Sequence, residues 1–380
     1  MPKSKQVLLV SNGHAEDLAA AMIGAKLKTL APNAAIKGLA LVGLGKAYDK
    51  QEIENLGLKR TLPSGGFAKE GFFYFFQDIL AGFFGIFSKH IRLLRRLRHE
   101  TDLVVAVGDA YVVALCGFFL KKPLIFVDGP KSVKIAVYWP IELWLMKKFC
   151  KHIIVQDKET DDYLKKLGLP SLYLGSWVMD YVPLTGEKFG LAKETTVIGL
   201  LPGTREEAYA NLKMILEVLD LMARKKPLLG LIASTLDKEK IKKAIKKTNW
   251  SLIDNRKLVS TGGTTALIAE GKFGDVCVRS QLIIGLAGIA NEQAVAFGTP
   301  VICFPGSGAQ TTMRRWKEIH KITGDSMKIV TGTAEEKARQ IIDILNDKQL
   351  MATMSRIGKQ SKPQWGGVKK IASLAVAAVK

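Results

Sequence analysis

Short apolar runs that close on Gly or Asp recur along the whole chain, and they restrict the fold more than any other feature. VLLV begins at residue 7 and IKGLALVG at 36. LVVAVGD follows at 103, PLIFVDG at 123 and HIIVQD at 152. A second series reads VIGLLPG, LLGLIAS, KLVST, QLIIG and VICFPG between 197 and 306. These runs lack the alternation of a half-buried strand. Helical spacing fills the intervals, from Leu18 to Leu30, from about Glu206 to Arg224, near 238 to 248 and from Asn291 onward. Continuous apolar strands separated by helices make a parallel sheet covered on both faces. The pattern pauses over 181–195 and restarts, which predicts two doubly wound Rossmann-like α/β domains, 1–185 and 186–360. An amphipathic tail over 361–380 could pack back across the junction. At 380 residues the chain can bury two cores of ordinary size.

Ligands of open α/β sheets bind beyond the carboxyl ends of the strands, so the loops there are where chemistry is sought. The first is Ser11-Asn12-Gly13-His14-Ala15-Glu16-Asp17. Gly13 permits a tight turn, and the next helix offers free N–H groups to an anion or a sugar hydroxyl. The spacing is not G-x-G-x-x-G, so a dinucleotide site has no support. A simple helix cap with an exposed His14 explains the loop equally well. The second is Gly108-Asp109, where a strand-end carboxylate suits a general base and also suits an N-cap. The third is Pro202-Gly203-Thr204-Arg205. Gly203 allows close backbone approach, Thr204 can cap the following helix, and Arg205 can hold a diphosphate bidentately. The fourth runs from Gly285 to Gln310, a Gly288 loop, a helix opening with Asn291, Glu292 and Gln293, and a second Gly-rich loop. A carboxylate at that helix start can accept both hydroxyls of a ribose, or it can merely complement the helix dipole.

Composition adds one outlier. The net charge is +21, which points to a polyanionic partner, either nucleic acid or an anionic membrane. FFYFFQDILAGFF, residues 72–84, holds six phenylalanines, and Arg92, Arg95, Arg96 and Arg98 follow. The apolar part ends at Phe87, short of the roughly 20 residues that cross a bilayer, and Gln77 and Asp78 interrupt it. Phe72, Phe76, Ile79, Phe83 and Phe87 recur at helical spacing, the layout of a helix lying on anionic lipid, or of a helix covering the sheet. The lysines of KEKIKKAIKK read as a solvated face. The first residues lack the apolar run of a signal peptide, so a cytoplasmic protein is expected. Cys116, Cys150, Cys277 and Cys303 form no C-x-x-C pair and are expected to be reduced, with no metal site.

SNGHAED, VGDA, LGSWVMD, LPGTREEAYANL and the Glu292–Gln310 segment together resemble the GT-B glycosyltransferases. Within them the chain is similar to lipid-A-disaccharide synthase and, more closely, to the synthase-related group. The resemblance covers nearly the whole chain. It implies a nucleotide-sugar donor, taken as UDP-linked, on the C-terminal domain and a lipid acceptor on the N-terminal domain, with a catalytic cleft between them. By position Asp109 matches the synthase's general base, with His14 in reserve, and Arg205 its phosphate-binding arginine. Asn12 and Gly13 fall in the acceptor loop. The implied enzyme is an inverting transferase with no cofactor, on the inner face of the membrane. Its chemistry is metal-independent, since no D-x-D pair is present to hold a divalent ion. The chain departs from the synthase where that enzyme has G-E-x-S-G-D and S-G-T; here stand Asn12 to Asp17 and Leu286-Ala287-Gly288. Those departures bear on the acceptor more than on the donor. A nucleotide-sugar epimerase shares the fold and is the nearest rival. A basic nucleic-acid-binding protein is the second, although no zinc-finger or RNP-like motif supports it.

Overall fold

The computed structural model describes residues 4–58, 83–129, 131–361 and 365–379. The chain forms two compact units. One ends at Tyr181 and takes back the terminal helix Gly367–Val379; the other begins at Val182.

The first unit is built on β1 (Gln6–Ser11), β2 (Ala35–Ala40), β3 (Glu54–Asn55), β4 (Leu103–Gly108), β5 (Leu124–Asp128), β6 (Cys150–Ile154) and β7 (Ser171–Leu172). They lie in the order β3-β2-β1-β4-β5-β6-β7, every pair parallel. Its main helices are α1 (His14–Leu30), α2 (Phe83–Leu97), α3 (Ala110–Leu115), which runs on as a π-helical turn over Cys116–Leu120, α4 (Pro140–Phe149) and α5 (Lys158–Lys166). Leu8, Val10, Val104, Ala106, Leu124 and Phe126 form one core with Leu94, Val112, Met146 and Leu164 from α2 to α5. The alternate strand residues turn to the opposite face, where Leu9 reaches Gly24 of α1 and α1 packs on the terminal helix. Side chains buried on both faces explain why these strands read as unbroken apolar runs.

The second unit holds β8 (Val197–Leu201), β9 (Leu229–Ile232), β10 (Trp250–Ile253), β11 (Lys257–Ser260), β12 (Thr265–Ile268), β13 (Leu282–Gly285), β14 (Val301–Cys303) and β15 (Met327–Ile329), in the order β10-β11-β12-β9-β8-β13-β14-β15. Six of these strands continue the parallel pattern. β11 is antiparallel to both β10 and β12, a departure from the all-parallel expectation. Asp220, in helix α6 (Ala208–Ala223), ties this edge down. Its carboxylate accepts from Ser260 Oγ and Thr264 Oγ1, each at 2.6 Å, and from Asn249 Nδ2 at 2.8 Å.

In each sheet the strand order reverses at the unit's first strand. The chain leaves β1 towards β2 on one side and returns to lay β4 on the other; β8, β9 and β13 repeat the arrangement. Connections diverge there, so a crevice opens beyond the strand ends.

Candidate functional site

At the β1/β4 reversal the structure brings Asn12 and Asp109 together. Asp109 is the N-cap of α3, and its Oδ1 accepts from Tyr111 N at 3.0 Å and from Asn12 Nδ2 at 2.9 Å. Gly108 makes this approach possible, because its φ is +148 and a β-carbon there would overlap the Asn12 amide oxygen. Gly13 does not form the tight turn expected of it. Its backbone is extended, with φ −174, and it is the N-cap of α1, so that helix starts at His14 rather than near Leu18. What a side chain at 13 would meet is the Glu16 carboxylate. His14 is exposed, with its ring over Gly43.

Behind these residues lie buried polar groups that no spacing signalled. Ser11 Oγ donates to Asp17 Oδ1 at 2.6 Å and shares a 2.7 Å hydrogen bond with Tyr48 Oη. Burial pushes the Asp17 carboxyl up to about 7, against the hydrogen bond from Ser11. Asp128 ends β5 at 3% exposure and accepts from the Tyr138 hydroxyl. Burial also raises Asp128 to about 7, opposed by that hydrogen bond and by the charge of Lys131. PLIFVDG showed the strand-end aspartate, but Tyr138 stands ten residues on with no period to link the two.

At the β8/β13 reversal three expected loops meet. Gly203 has φ +103, and a β-carbon on it would stand 3.5 Å from the Leu286 carbonyl. Thr204 and Arg205 are exposed. Thr204 does not cap the helix: α6 begins only at Ala208, with Glu207 as N-cap and no side-chain cap bond. Helix α7 (Gly288–Ala296) likewise begins at Gly288, three residues before the expected Asn291. Asn291, Glu292 and Gln293 therefore lie inside the helix and are buried, Glu292 at 7% exposure. The expectation of a carboxylate at a helix start is corrected. Gln310 sits in a short 3₁₀ turn, Ala309–Thr311, of the last loop.

One residue that the sequence reading passed over joins these loops. Asn211 of α6 is buried; its Oδ1 accepts from Ser307 N at 2.7 Å, and its Nδ2 lies 3.4 Å from both Pro202 O and Ser307 O. A single amide thus braces the loop after β8 against the loop after β14. Arg205 and the first turn of α7 follow the carboxyl ends of the neighbouring central strands β8 and β13, a chemistry suited to an anionic ligand.

Over nearly its full length the chain superposes on solved structures. UDP-GlcNAc 2-epimerase from Neisseria meningitidis bound to UDP-GlcNAc matches with a TM-score of 0.62 at 15% identity, covering 98% of this chain and 99% of that one. CalG4, the calicheamicin glycosyltransferase, gives 0.66 at 10% identity, with 99% and 98% covered. MurG from Acinetobacter baumannii gives 0.59 at 15%, with 98% and 99% covered. The fold is GT-B. Likeness at these identities shows the fold alone, and none of these three is a lipid-A-disaccharide synthase. No protein-family model and no curated protein sequence matches the chain.

Of the expected membrane contacts, Phe72 and Phe76 lie outside the described residues, and the backbone of Phe83 opens α2. Phe87 is half-buried and packs against the first core. Arg92 and Arg95 are exposed, with Arg95 Cζ 5.4 Å from the Phe119 ring centroid. Among the described residues no helix is long and apolar enough to cross a membrane. All four cysteines are free and buried.

Proposed function

We propose that this GT-B chain is a glycosyltransferase that moves a sugar from a UDP-linked donor to a lipid-linked acceptor at the inner face of the membrane. The observation that carries the reading is the hydrogen-bonded pair Asn12–Asp109 at the β1/β4 reversal, which presents a carboxylate where an open α/β sheet receives ligands. Asp109 takes the proton of the acceptor hydroxyl. The freed oxygen attacks the anomeric carbon from the face opposite the nucleotide, the bond to the diphosphate breaks with its electron pair, and the configuration inverts. Arg205 and the N–H groups at the start of α7 meet the negative charge that develops on UDP, the term that dominates transfers of this kind. Buried Glu292 and Gln293 hold the ribose from within α7, and Gln310 approaches from the last loop.

An epimerase acting on a nucleotide-sugar is the second reading, favoured by likeness to proteins such as the Neisseria enzyme. An epimerase returns a nucleotide-sugar and no free UDP, whereas a transferase releases one UDP per sugar moved. Incubation with UDP-sugars and a membrane lipid extract, followed by analysis of both phases, separates the two. Epimerised donor with an unlabelled lipid phase would overturn the transferase reading.

A further inference from the structure

We infer that the outer face formed by α2, the π-helical turn and α4 is a docking surface for an anionic lipid bilayer. The inference rests on the lipid-acceptor reading only for its purpose, because the surface itself is described by its own chemistry. Trp139, Ile141, Trp144 and Phe118 are 70%, 55%, 46% and 42% exposed. Ile141, Trp144 and Lys148 follow one another at helical spacing, so they share a stripe of α4. Phe118 joins this stripe from the π-helical turn, its ring 6.3 Å from Trp144 and 4.8 Å from Phe149. Beside them lies a cleft of about 400 Å³ lined by Gly117, Phe118, Lys121, Lys122, Lys148 and Phe149.

Charge complementarity identifies the occupant. Arg95 and Arg96 from α2, Lys121 and Lys122 after the π-helical turn, and Lys147 and Lys148 from α4 stand on these neighbouring elements. The only carboxylate within α2, 110–122 and α4 is Glu142. It is half-buried and already paired, its Oε2 accepting from Lys131 Nζ at 2.6 Å and Trp139 N at 2.7 Å. Lysines at helix C-termini also complement the helix dipole, but that does not account for apolar side chains left in water beside them. Lys148 Nζ lies 4.5 Å from the Trp144 ring centroid and 5.6 Å from that of Phe118, so cation and aromatic are already paired. Tryptophan beside lysine is the composition of a bilayer interface, where the ring sits at headgroup level and the ammonium meets phosphate. An aliphatic residue such as Ile141 offers nothing to stack on a nucleic-acid base, so the bilayer is favoured over nucleic acid.

Co-sedimentation of the full chain with phosphatidylcholine vesicles, with and without phosphatidylglycerol, tests the inference. Binding should require the anionic lipid. Lys121→Gln/Lys122→Gln/Lys148→Gln should weaken it about a hundredfold at low salt. Ile141→Ser/Trp144→Ser should abolish the part that survives high salt. Melting temperatures and UDP affinity measured on the same variants should stay as in the parent. That keeps this surface separable from the donor site, because lost UDP binding with intact vesicle binding would count against the transferase reading alone. Vesicle binding untouched by both variants would overturn the inference, as would a parent protein that ignores anionic vesicles. Binding to duplex DNA or RNA, without vesicle binding, that disappears in the lysine variant would overturn it in favour of nucleic acid.

Discussion

Asp109 has two tasks in this account, and a single substitution separates them. Asn is as good an N-cap as Asp, so Asp109→Asn keeps the bond from Tyr111 N and the start of α3. It cannot accept a proton, so turnover should fall by roughly 10² to 10⁴ with UDP affinity unchanged. Near-normal turnover would move the base to His14 or elsewhere. Glu292 is different because it is buried inside α7, where removing its side chain leaves a hole as well as a missing acceptor. Glu292→Gln is therefore the informative change, and calorimetry should show weaker UDP binding with little change in melting temperature. Asn211→Ala removes the amide between Pro202 and Ser307 and leaves Ser307 N without that acceptor. A lost buried hydrogen bond costs about 1–3 kcal/mol, so UDP affinity should fall about tenfold or more while Asp109 is untouched. Asp17 and Asp128 predict the pH behaviour. Both are raised from 3.8 to about 7 in the fold, so each stays protonated where the unfolded chain has already ionised. Their contribution to stability is full below 3.8 and is lost as the pH rises to 7. Asp128→Asn should make urea midpoints fall less between pH 4 and 7 than in the parent; parallel profiles would mean Asp128 ionises as it does in the unfolded chain.

The elements were legible to different depths. The central strands announced themselves because burial on both faces leaves only apolar residues, as in Leu103–Val107 and Leu282–Ile284. Helix starts were less legible. Both α6 and α7 begin without a side-chain cap, so Thr204 and Asn291 drew the boundary to the wrong residue. β10 and β12 escaped notice because each buries only one of its four residues, so WSLI and TALI do not read as unbroken apolar runs, and their setting depends on Asp220, which in sequence is one polar residue of an amphipathic helix. Burial raises the Asp220 carboxyl, but hydrogen bonds from Ser260, Thr264, Asn249 and Arg224 outweigh it and hold it below its ordinary value. Asp220→Ala should expose β10 to β12 to hydrogen exchange well before the parallel strands, at a cost of several kcal/mol from three orphaned donors. Uniform exchange across the sheet would show that the edge holds without Asp220. Asn211 was missed for the same physical reason: a helix asparagine reads as a residue turned to water until the loops beyond the strands fold onto it.

Across the whole molecule, two sheets of reversed strand order each carry candidate residues at the reversal, and the excess of positive charge is expressed in part as a basic, aromatic face on the first unit. Neither sheet alone distinguishes moving a sugar from altering one, because both activities occur among proteins of this fold. The decisive measurement follows the sugar. UDP-sugar labelled in the sugar ring, incubated with the protein and a membrane lipid extract, should place label in the lipid phase with one UDP released for each sugar transferred. Asp109→Asn should slow the transfer by roughly 10² to 10⁴ without loss of UDP binding. Label that stays entirely on the nucleotide, whether unchanged or epimerised, would contradict the account.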